Sequence, residues 1–163
     1  MEEPDIREFT PQDADWIARV HGALYRDNEG FDDTFQPLVE QILQDFINTN
    51  DPMCERGWVA ESGGQKLGSI FCVKLSEETA KLRLFLLVPD ARGMGMGRRL
   101  LNQCMGFALA AGYKNMSLWT HESHQAACAL YRRTGWQMVS STPVHSFGCD
   151  LIEQSWQIDL GRT

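Results

Sequence analysis

Long apolar segments are absent from this sequence, and so are the marks of a secreted protein. No apolar run approaches the ~20 residues that a helix needs to cross a bilayer. The N-terminal residues lack the basic and apolar regions of a signal peptide. The five cysteines are scattered, odd in number and free of any Cys-x-x-Cys pair, which argues against a disulfide framework and a zinc site. We therefore expect a cytoplasmic protein that works without a membrane and without a metal ion.

Basic residues are also scarce. The chain has 15 lysines and arginines against 22 acidic residues, a net charge of −7, whereas a nucleic-acid partner would need a basic face. No repeat, low-complexity segment or linker divides the 163 residues, which are enough for one domain with a hydrophobic core. The composition thus predicts one domain over residues 1–163 and no nucleic-acid partner.

What the chain does have is a strand, a glycine-rich turn and a helix in direct succession at 82–101. The apolar run 82–88 has the length of a strand, and Gly93, Gly95 and Gly97 alternate with methionine directly before an apolar-periodic helix. Glycines let a ligand approach main-chain N–H groups closely, and the first turn of a helix has unpartnered N–H groups and the positive end of its dipole. This combination predicts an anion site suited to phosphate or pyrophosphate.

Two familiar phosphate loops do not fit this turn. A P-loop needs a lysine and then a serine or threonine after its last glycine, and neither follows Gly97. The dinucleotide fingerprint has the spacing Gly-x-Gly-x-x-Gly near the start of a βαβ series, whereas this turn has Gly-x-Gly-x-Gly and lies in mid-chain. The remaining alternatives are another kind of nucleotide-binding loop and a turn that binds nothing.

Hydrophobic periodicity along the rest of the chain predicts the order β-α-α-β-β-β-α-β-α-β-β. The first helix runs from a Thr-Pro start signal to about Arg26 and is followed by a polar loop at 27–33. The second helix covers about 34–49, and the third and fourth end at Gly112 and Gly135. The predicted strands are 5–9, 58–62, 67–75, 82–88, 115–120, a strand that begins at 136–139, and 151–160, with the segment 143–148 between the last two.

Two motifs together resemble the GNAT superfamily of acyltransferases. The pattern Arg-x-x-Gly-x-Gly, filled by Arg92, Gly95 and Gly97 after a strand, resembles the acetyl-CoA loop of that superfamily. The segment 127–136, Ala-Cys-Ala-Leu-Tyr-Arg-Arg-Thr-Gly-Trp, is similar to its Ala-x-x-Leu-Tyr-x-x-x-Gly-Phe signature. The resemblance covers nearly the whole chain. It implies an α/β GNAT fold, a mixed and mostly antiparallel central sheet of six to seven strands flanked by about four helices.

A narrower resemblance concerns two short segments. His21-Gly-x-Leu-Tyr25 and His145-Ser-Phe-Gly148 are similar to the acetyltransferase half of proteins that fuse a MarR-type DNA-binding domain to a GNAT domain. Because 163 residues leave no room for the DNA-binding half, this resemblance implies the catalytic half standing alone. Dimers are common among proteins of this kind, so a homodimer remains open.

The resemblance implies acetyl-CoA as co-substrate, held by the glycine turn and the strand before it. Its pyrophosphate would lie on the N–H groups of about 93–98, and its pantetheine arm would run along 86–88. A main-chain N–H near Leu86 or Leu87 would polarise the thioester carbonyl. His124 stands where the family often has an asparagine that contacts the CoA arm. The implied cofactor-binding residues are Leu86, Leu87, Val88, Arg92, Gly93, Met94, Gly95, Met96, Gly97, Arg98, His124 and Tyr131.

The implied reaction is direct attack on the thioester by a primary amine of a small molecule or a protein. Tyr131 stands where the family has its acid tyrosine and would protonate the leaving thiolate. Many members have a basic glutamate in the strand before the loop, but 82–88 contains only Arg83 as a charged residue. His145 is the first substitute, because an imidazole pKa near 6.5 suits a base. Further candidates are Glu29, His21, Glu122, His121, or water.

The acceptor would bind between the first two helices and the end of the sheet, where His21, Tyr25 and Phe147 are available as substrate-binding residues. The sequence leaves the identity of the acceptor open. A non-catalytic sensor or interaction module that binds an acyl-CoA or a metabolite is the alternative function. The missing strand glutamate and the MarR-type resemblance motivate it.

Overall fold

The computed structural model describes residues 3–161 as seven strands and four α-helices. In chain order they are β1 (Asp5–Glu8), α1 (Ala14–Glu29), α2 (Phe35–Thr49), β2 (Arg56–Ser62), β3 (Gln65–Lys74), β4 (Thr79–Leu87), α3 (Met96–Ala110), β5 (Asn115–His121), α4 (Gln125–Arg133), β6 (Gln137–Ser146) and β7 (Cys149–Asp159). None of the helices in this described range is both long enough and apolar enough to cross a membrane. The predicted order of strands and helices is confirmed.

The strands form one mixed sheet in the order β1-β2-β3-β4-β5-β7-β6. Neighbouring strands are antiparallel except β4 and β5, which are parallel. Helices α3 and α4 pack on one face, around Leu100, Cys104 and Tyr131. Helices α1 and α2 cover part of the other face, around Ile17 and Leu43. The expected α/β class, with a mostly antiparallel sheet flanked by four helices, is therefore confirmed.

Helix α1 is almost one turn longer than the sequence predicts. It continues to Glu29 and ends at Gly30, whose φ of 75° is left-handed and whose N–H donates to the carbonyl of Arg26 at 3.1 Å. The predicted loop at 27–33 is therefore wrong in its first half. Polar residues can continue an exposed helix, and α1 ends only where Gly30 adopts a left-handed conformation. The extra turn places Glu29 four residues after Tyr25, on the same face of the helix.

Strand β6 begins where the sequence predicts, at 136–139, and continues to Ser146. Gln137–Ser146 pairs with β7 over its whole length, so most of the segment 143–148 is strand. Pro143 is tolerated because β6 is the edge of the sheet, where a proline need not interrupt a second ladder. The side chains of this strand are mostly polar and exposed, and they offer no apolar alternation from which its length could be predicted.

Candidate active site

The two parallel strands β4 and β5 separate soon after they begin. Their backbone pairing covers only 79–81 against 115–117. A bulge in β4 accompanies the separation, because the register against β3 shifts between Ser69 and Phe71 and Leu84 has a φ of 50°. The hydroxyl of Ser69 donates to the Leu84 carbonyl at 2.8 Å and holds this bulge. Beyond residue 81, no described strand pairs with the inner edge of β4, which is free for a ligand.

A cavity of about 440 Å³ occupies the cleft between these strands. Its wall is built from the end of α1, the second half of β4, the start of α3 and the junction of β5 with α4. Eight residues predicted for the site line it: Tyr25, Glu29, Leu86, Leu87, Arg92, Gly97, His124 and Tyr131. The fold thus gathers into one cavity residues that are far apart in the sequence.

The glycine turn leads into this cavity with its amides free. Gly93 and Gly95 have φ values of 81° and 74°, and open space surrounds the position that a Cβ would take at each of them. The N–H of Arg99 donates to the carbonyl of Gly95 at 3.1 Å, which begins the hydrogen bonding of α3. Within residues 3–161, no carbonyl or side chain accepts a hydrogen bond from the amides of 93–98. The turn is therefore suited to bind an anion.

Six of the predicted loop residues lie beside the cavity and do not line it. Val88 donates its N–H to the Leu67 carbonyl at 2.9 Å, and Met96 is buried in the core. The other four lie on the exposed part of the turn and at the start of α3: Gly93, Met94, Gly95 and Arg98. Gly97 does line the cavity, and a Cβ there would meet a methyl carbon of Leu87 at 3.2 Å. Glycine at this position lets α3 lie close to β4.

Tyr131 contributes to the cavity wall from α4 while most of the residue is buried. It is 3% exposed, and its ring centre lies 5.7–6.3 Å from those of Phe85, Trp136 and Trp156. Burial, and secondarily the neighbouring Tyr25, raise the pKa of the Tyr131 phenol well above its ordinary value. The phenol therefore stays protonated at neutral pH and can act as a hydrogen-bond donor.

Glu29 and His124 face each other in the cavity wall. Nε2 of His124 lies 3.8 Å from a carboxylate oxygen of Glu29 and has no hydrogen-bond partner among the described residues. Nδ1 lies 3.2 Å from the hydroxyl oxygen of Thr120, a residue that the sequence reasoning missed. Burial lowers the pKa of His124 to about 4, an effect larger than the opposing one of Glu29. The imidazole is therefore neutral near pH 7, and its centre lies 4.7 Å from that of the Tyr25 ring.

His145, the first substitute base from the sequence, lies outside the cavity. Its side chain is 68% exposed, and Nδ1 lies 2.9 Å from a carboxylate oxygen of Asp150 across the turn between β6 and β7. The long β6 carries His145 along the edge of the sheet, away from the cleft between β4 and β5. Of the side chains considered as bases, the structure brings only Glu29 into the lining of this cavity, among the residues that it describes.

The three predicted substrate-binding residues have different places. Tyr25 lines the cavity, whereas His21 is fully buried one turn earlier on α1. Phe147 does not line the cavity, and its ring stacks on that of Phe31 with centres 5.0 Å apart. Phe31 and Phe35 form an aromatic cluster with Tyr25 that the sequence reasoning missed. No helix spacing could have indicated this cluster, because Phe31 lies in the connection between α1 and α2.

Acid should destabilise the folded protein through buried histidines. Burial lowers the pKa of His21 to about 4 from 6.5, although its Nδ1–H donates to the Ile17 carbonyl at 2.8 Å. Because the unfolded chain binds the proton first, the free energy of unfolding should fall as the pH drops from 6.5 to 4, by about 3 kcal/mol for this group. Urea unfolding at several pH values measures the slope. His21→Leu should flatten it in part, leaving the contribution of His124, and an unchanged slope in His21→Leu would contradict the assignment.

A family comparison decides what kind of protein has this cavity. A sequence model of the Acetyltransferase (GNAT) family matches residues 18–136, from α1 through the glycine turn to the end of α4. The chain belongs to this family. A GNAT relative, N-acetyltransferase family 8 member 2 of Rattus norvegicus, is 34% identical over 107 residues, which cover 63% of this chain and 46% of that protein. An uncharacterized N-acetyltransferase of Methanocaldococcus jannaschii is 28% identical over 138 residues, or 81% and 60% of the two chains.

This chain spans about half the length of the rat relative and 60% of the archaeal one. Solved GNAT structures share its fold over nearly their whole length. A GNAT-family acetyltransferase of Staphylococcus aureus Mu50 has a TM-score of 0.79 at 17% identity, covering 97% of this chain and 99% of the other. The yncA protein of Salmonella typhimurium, solved with its cofactor acetyl-CoA, has a TM-score of 0.78 at 17% identity, covering 99% and 96%. The GNAT fold implied by the sequence is confirmed, and the likeness to MarR-fused halves remains a resemblance.

Proposed function

We propose that this GNAT protein is an acetyl-CoA-dependent N-acetyltransferase that acts on a primary amine of a small molecule or a protein. The observation that carries the proposal is the cavity between β4 and β5, which joins the glycine turn to a protonated tyrosine and a carboxylate. Family membership supports an acyl-transfer reaction. The presence of acetyl-CoA in the Salmonella protein of the same fold supports the choice of co-substrate.

The residues of the turn and of β4 fit the diphosphate and the arm of acetyl-CoA. The free N–H groups of 93–98 would hold the diphosphate oxygens, and Arg92 would add a charged donor from the cavity wall. The unpaired inner edge of β4 at Leu86 and Leu87 offers main-chain groups to an extended arm that contains amides. Acetyl-CoA would supply the activated acetyl group as a thioester.

Two side chains in the cavity can act as the base and the acid of the reaction. Glu29 is the only carboxylate among the described lining residues, and it substitutes for the glutamate that 82–88 lacks. It would take a proton from the substrate ammonium, so that the freed nitrogen electron pair can bond to the acetyl carbon. As the carbon–sulfur bond breaks, the hydroxyl of Tyr131 would donate its proton to the sulfur. The nitrogen still has two hydrogens after the attack and loses the second as the amide forms; this proton returns to the Tyr131 phenolate through water, and Glu29 releases its own proton to water.

A second candidate function is a sensor or interaction module that binds an acyl-CoA in the same cavity without turnover. The observation that favours it is the charge of β4, where Arg83 is present and no carboxylate occurs. The cavity itself suits either function, so only turnover separates them. Detection of free CoA thiol during incubation with a panel of primary amines makes that distinction, since a sensor would bind acetyl-CoA and release no thiol.

Acetyl-CoA should bind the wild-type chain with one-to-one stoichiometry, and Arg92→Ala should weaken binding about tenfold. The loss of one charged contact to a phosphate, roughly 1.4 kcal/mol, accounts for this factor. Isothermal titration calorimetry measures both affinities. Arg19→Ala is the matched control, because Arg19 is exposed on α1, pairs with Asp15 at 2.8 Å and lies outside the cavity. No heat of binding at millimolar acetyl-CoA would overturn the proposal.

Three further expectations stay proposals. The five cysteines are all free thiols, in keeping with a reducing cytoplasm. A homodimer and a single domain over residues 1–163 are also proposals. Sedimentation of the purified chain measures its oligomeric state, and limited proteolysis tests whether it forms one domain.

A further inference from the structure

Glu29 and His124 face one gap with a carboxylate oxygen and an imidazole nitrogen. The 3.8 Å between Oε1 of Glu29 and Nε2 of His124 is too long for a hydrogen bond, although each side chain is only 13% exposed. Nδ1 of His124 lies 3.2 Å from the hydroxyl oxygen of Thr120, while Nε2 has no partner within the described part of the chain. The distances fit either tautomer of His124. An ammonium selects the tautomer whose ring hydrogen is on Nδ1 and is donated to the Thr120 hydroxyl oxygen, because Nε2 then presents a lone pair beside the carboxylate and the gap lacks a donor.

A primary ammonium group supplies donors of the right number and charge. A nitrogen about 2.9 Å from both acceptors would see them roughly 80° apart, so two of its N–H bonds reach them with modest bending. The ring of Tyr25 lies 4.7 Å from the His124 imidazole and lines the same cavity. Burial lowers the pKa of His124 to about 4, so the imidazole is neutral near pH 7 and does not repel a cation.

The charges of the cavity also restrict what surrounds that ammonium. Among the described lining residues Arg92 is the only arginine or lysine, and it belongs to the glycine turn. No second cation of the lining is available to pair with a carboxylate on the acceptor, which would instead lie near Glu29. The rest of the lining is uncharged, with Leu24 and Phe85 as apolar members and Asn28, Ser123 and Gln125 as polar ones. The cavity therefore favours an amine without a second charged group.

We propose that Glu29 and His124 bind the ammonium group of the acceptor, and that the acceptor is a primary alkyl- or arylalkylamine without a carboxylate beside the amine. The proposal rests on the proposed N-acetyltransferase function. It gives His124 a role at the acceptor in place of the contact to the CoA arm that the family resemblance implies.

Matched amines test the acceptor class by the release of free CoA thiol. Phenethylamine and phenylalanine differ by one carboxylate, and phenylalaninol replaces that carboxylate by a neutral group of similar size. We expect kcat/KM for phenethylamine and phenylalaninol to exceed that for phenylalanine about tenfold or more, because a carboxylate would remain unpaired near Glu29. Equal values for the three amines would overturn the acceptor class.

Matched variants test the pair. Glu29→Gln and His124→Leu should each raise the KM for phenethylamine about tenfold, with the KM for acetyl-CoA changed less than about twofold. His124→Gln, which restores an acceptor oxygen, should recover part of the loss. Asp27→Asn is the control, since Asp27 is an exposed carboxylate on the same helix, paired with Arg26 and outside the cavity. Amine KM values in Glu29→Gln and His124→Leu that match this control would overturn the pair.

If the proposed N-acetyltransferase function is wrong, the wild-type protein will release no thiol with any amine. The proposal about Glu29 and His124 is then tested by amine binding instead of turnover. In that case NMR of the His124 imidazole with added phenethylammonium decides the question. A shift that Glu29→Gln removes supports the pair, and no shift overturns it. Thermal unfolding of each variant shows that the compared proteins are folded.

Discussion

Tyr131→Phe should lower kcat for acetyl transfer about 100-fold or more and change the acetyl-CoA Kd less than about twofold. The phenol lies in the cavity wall, and burial raises its pKa, so it keeps a proton to donate to the leaving sulfur. Phenylalanine preserves the ring beside Phe85 and Trp136 and removes only the donor. Steady-state thiol release measures kcat, and calorimetry with acetyl-CoA measures the affinity.

Tyr113→Phe is the matched control for this experiment. Tyr113 is also buried, but its hydroxyl donates to the carbonyl of Cys54 at 2.9 Å and the residue does not line the cavity. The variant should turn over at the wild-type rate and lose about 1 kcal/mol of unfolding free energy. Wild-type kcat in Tyr131→Phe would remove the phenol from the mechanism.

Asp13→Ala should lower the free energy of unfolding by about 3 kcal/mol. Asp13 is 1% exposed and ties the start of α1 to the sheet. Arg7 donates to both carboxylate oxygens at 2.9 Å, the N–H of Thr10 donates at 2.8 Å, and the ammonium of Lys66 lies 3.2 Å away. The variant leaves these donors without their acceptor. Arg7 is partly exposed and also pairs with Glu61. We therefore expect a loss of unfolding free energy at the low end of the range found when one partner of a buried ion pair is removed.

The pH dependence of this contribution follows from the same contacts. Burial opposes ionisation of Asp13, but hydrogen bonds from Arg7, from the N–H of Thr10 and from Lys66 outweigh it and hold the pKa well below 3.8. The contribution of Asp13 to the free energy of unfolding is therefore complete at pH values above its pKa in the unfolded chain. It is lost progressively as the pH falls below that value. Urea unfolding measures both effects. Asp15→Ala, which removes an exposed carboxylate paired with Arg19, should change stability by less than about 0.5 kcal/mol. Equal losses in the two variants would contradict the prediction.

The order of the elements could be predicted because each element has a local signal. The stripes of α2 and α3, the alternation of β2 and β3 and the glycines that end helices are properties of neighbouring residues. The end of α1 and the extent of β6 are two of the boundaries that differ from the prediction, and both lie where local signals are weak. The end of α1 is polar up to Gly30, and β6 owes its length to pairing with β7. The hydrophobic periodicity of a segment does not show which other strand it will pair with.

Candidate site residues divide in the same way. The glycine turn and Tyr131 belong to motifs whose spacing can be read directly. In the structure the turn leads into the cavity through Arg92 and Gly97, and Tyr131 lines it. The base could not be chosen from the sequence, because His145 and Glu29 were both polar residues in segments predicted as loops. The extra turn of α1 brings Glu29 into the cavity, and the long β6 carries His145 away from it.

The family and the order of strands and helices follow from the types and spacing of nearby residues, and so does the glycine turn proposed to hold an anion. Which polar side chains share the cavity depends instead on how distant elements pack. Glu29, Thr120 and His124 come within contact distance because α1 packs beside the point where β4 and β5 part. That meeting depends on strand register and helix length, which are set by partners distant along the chain.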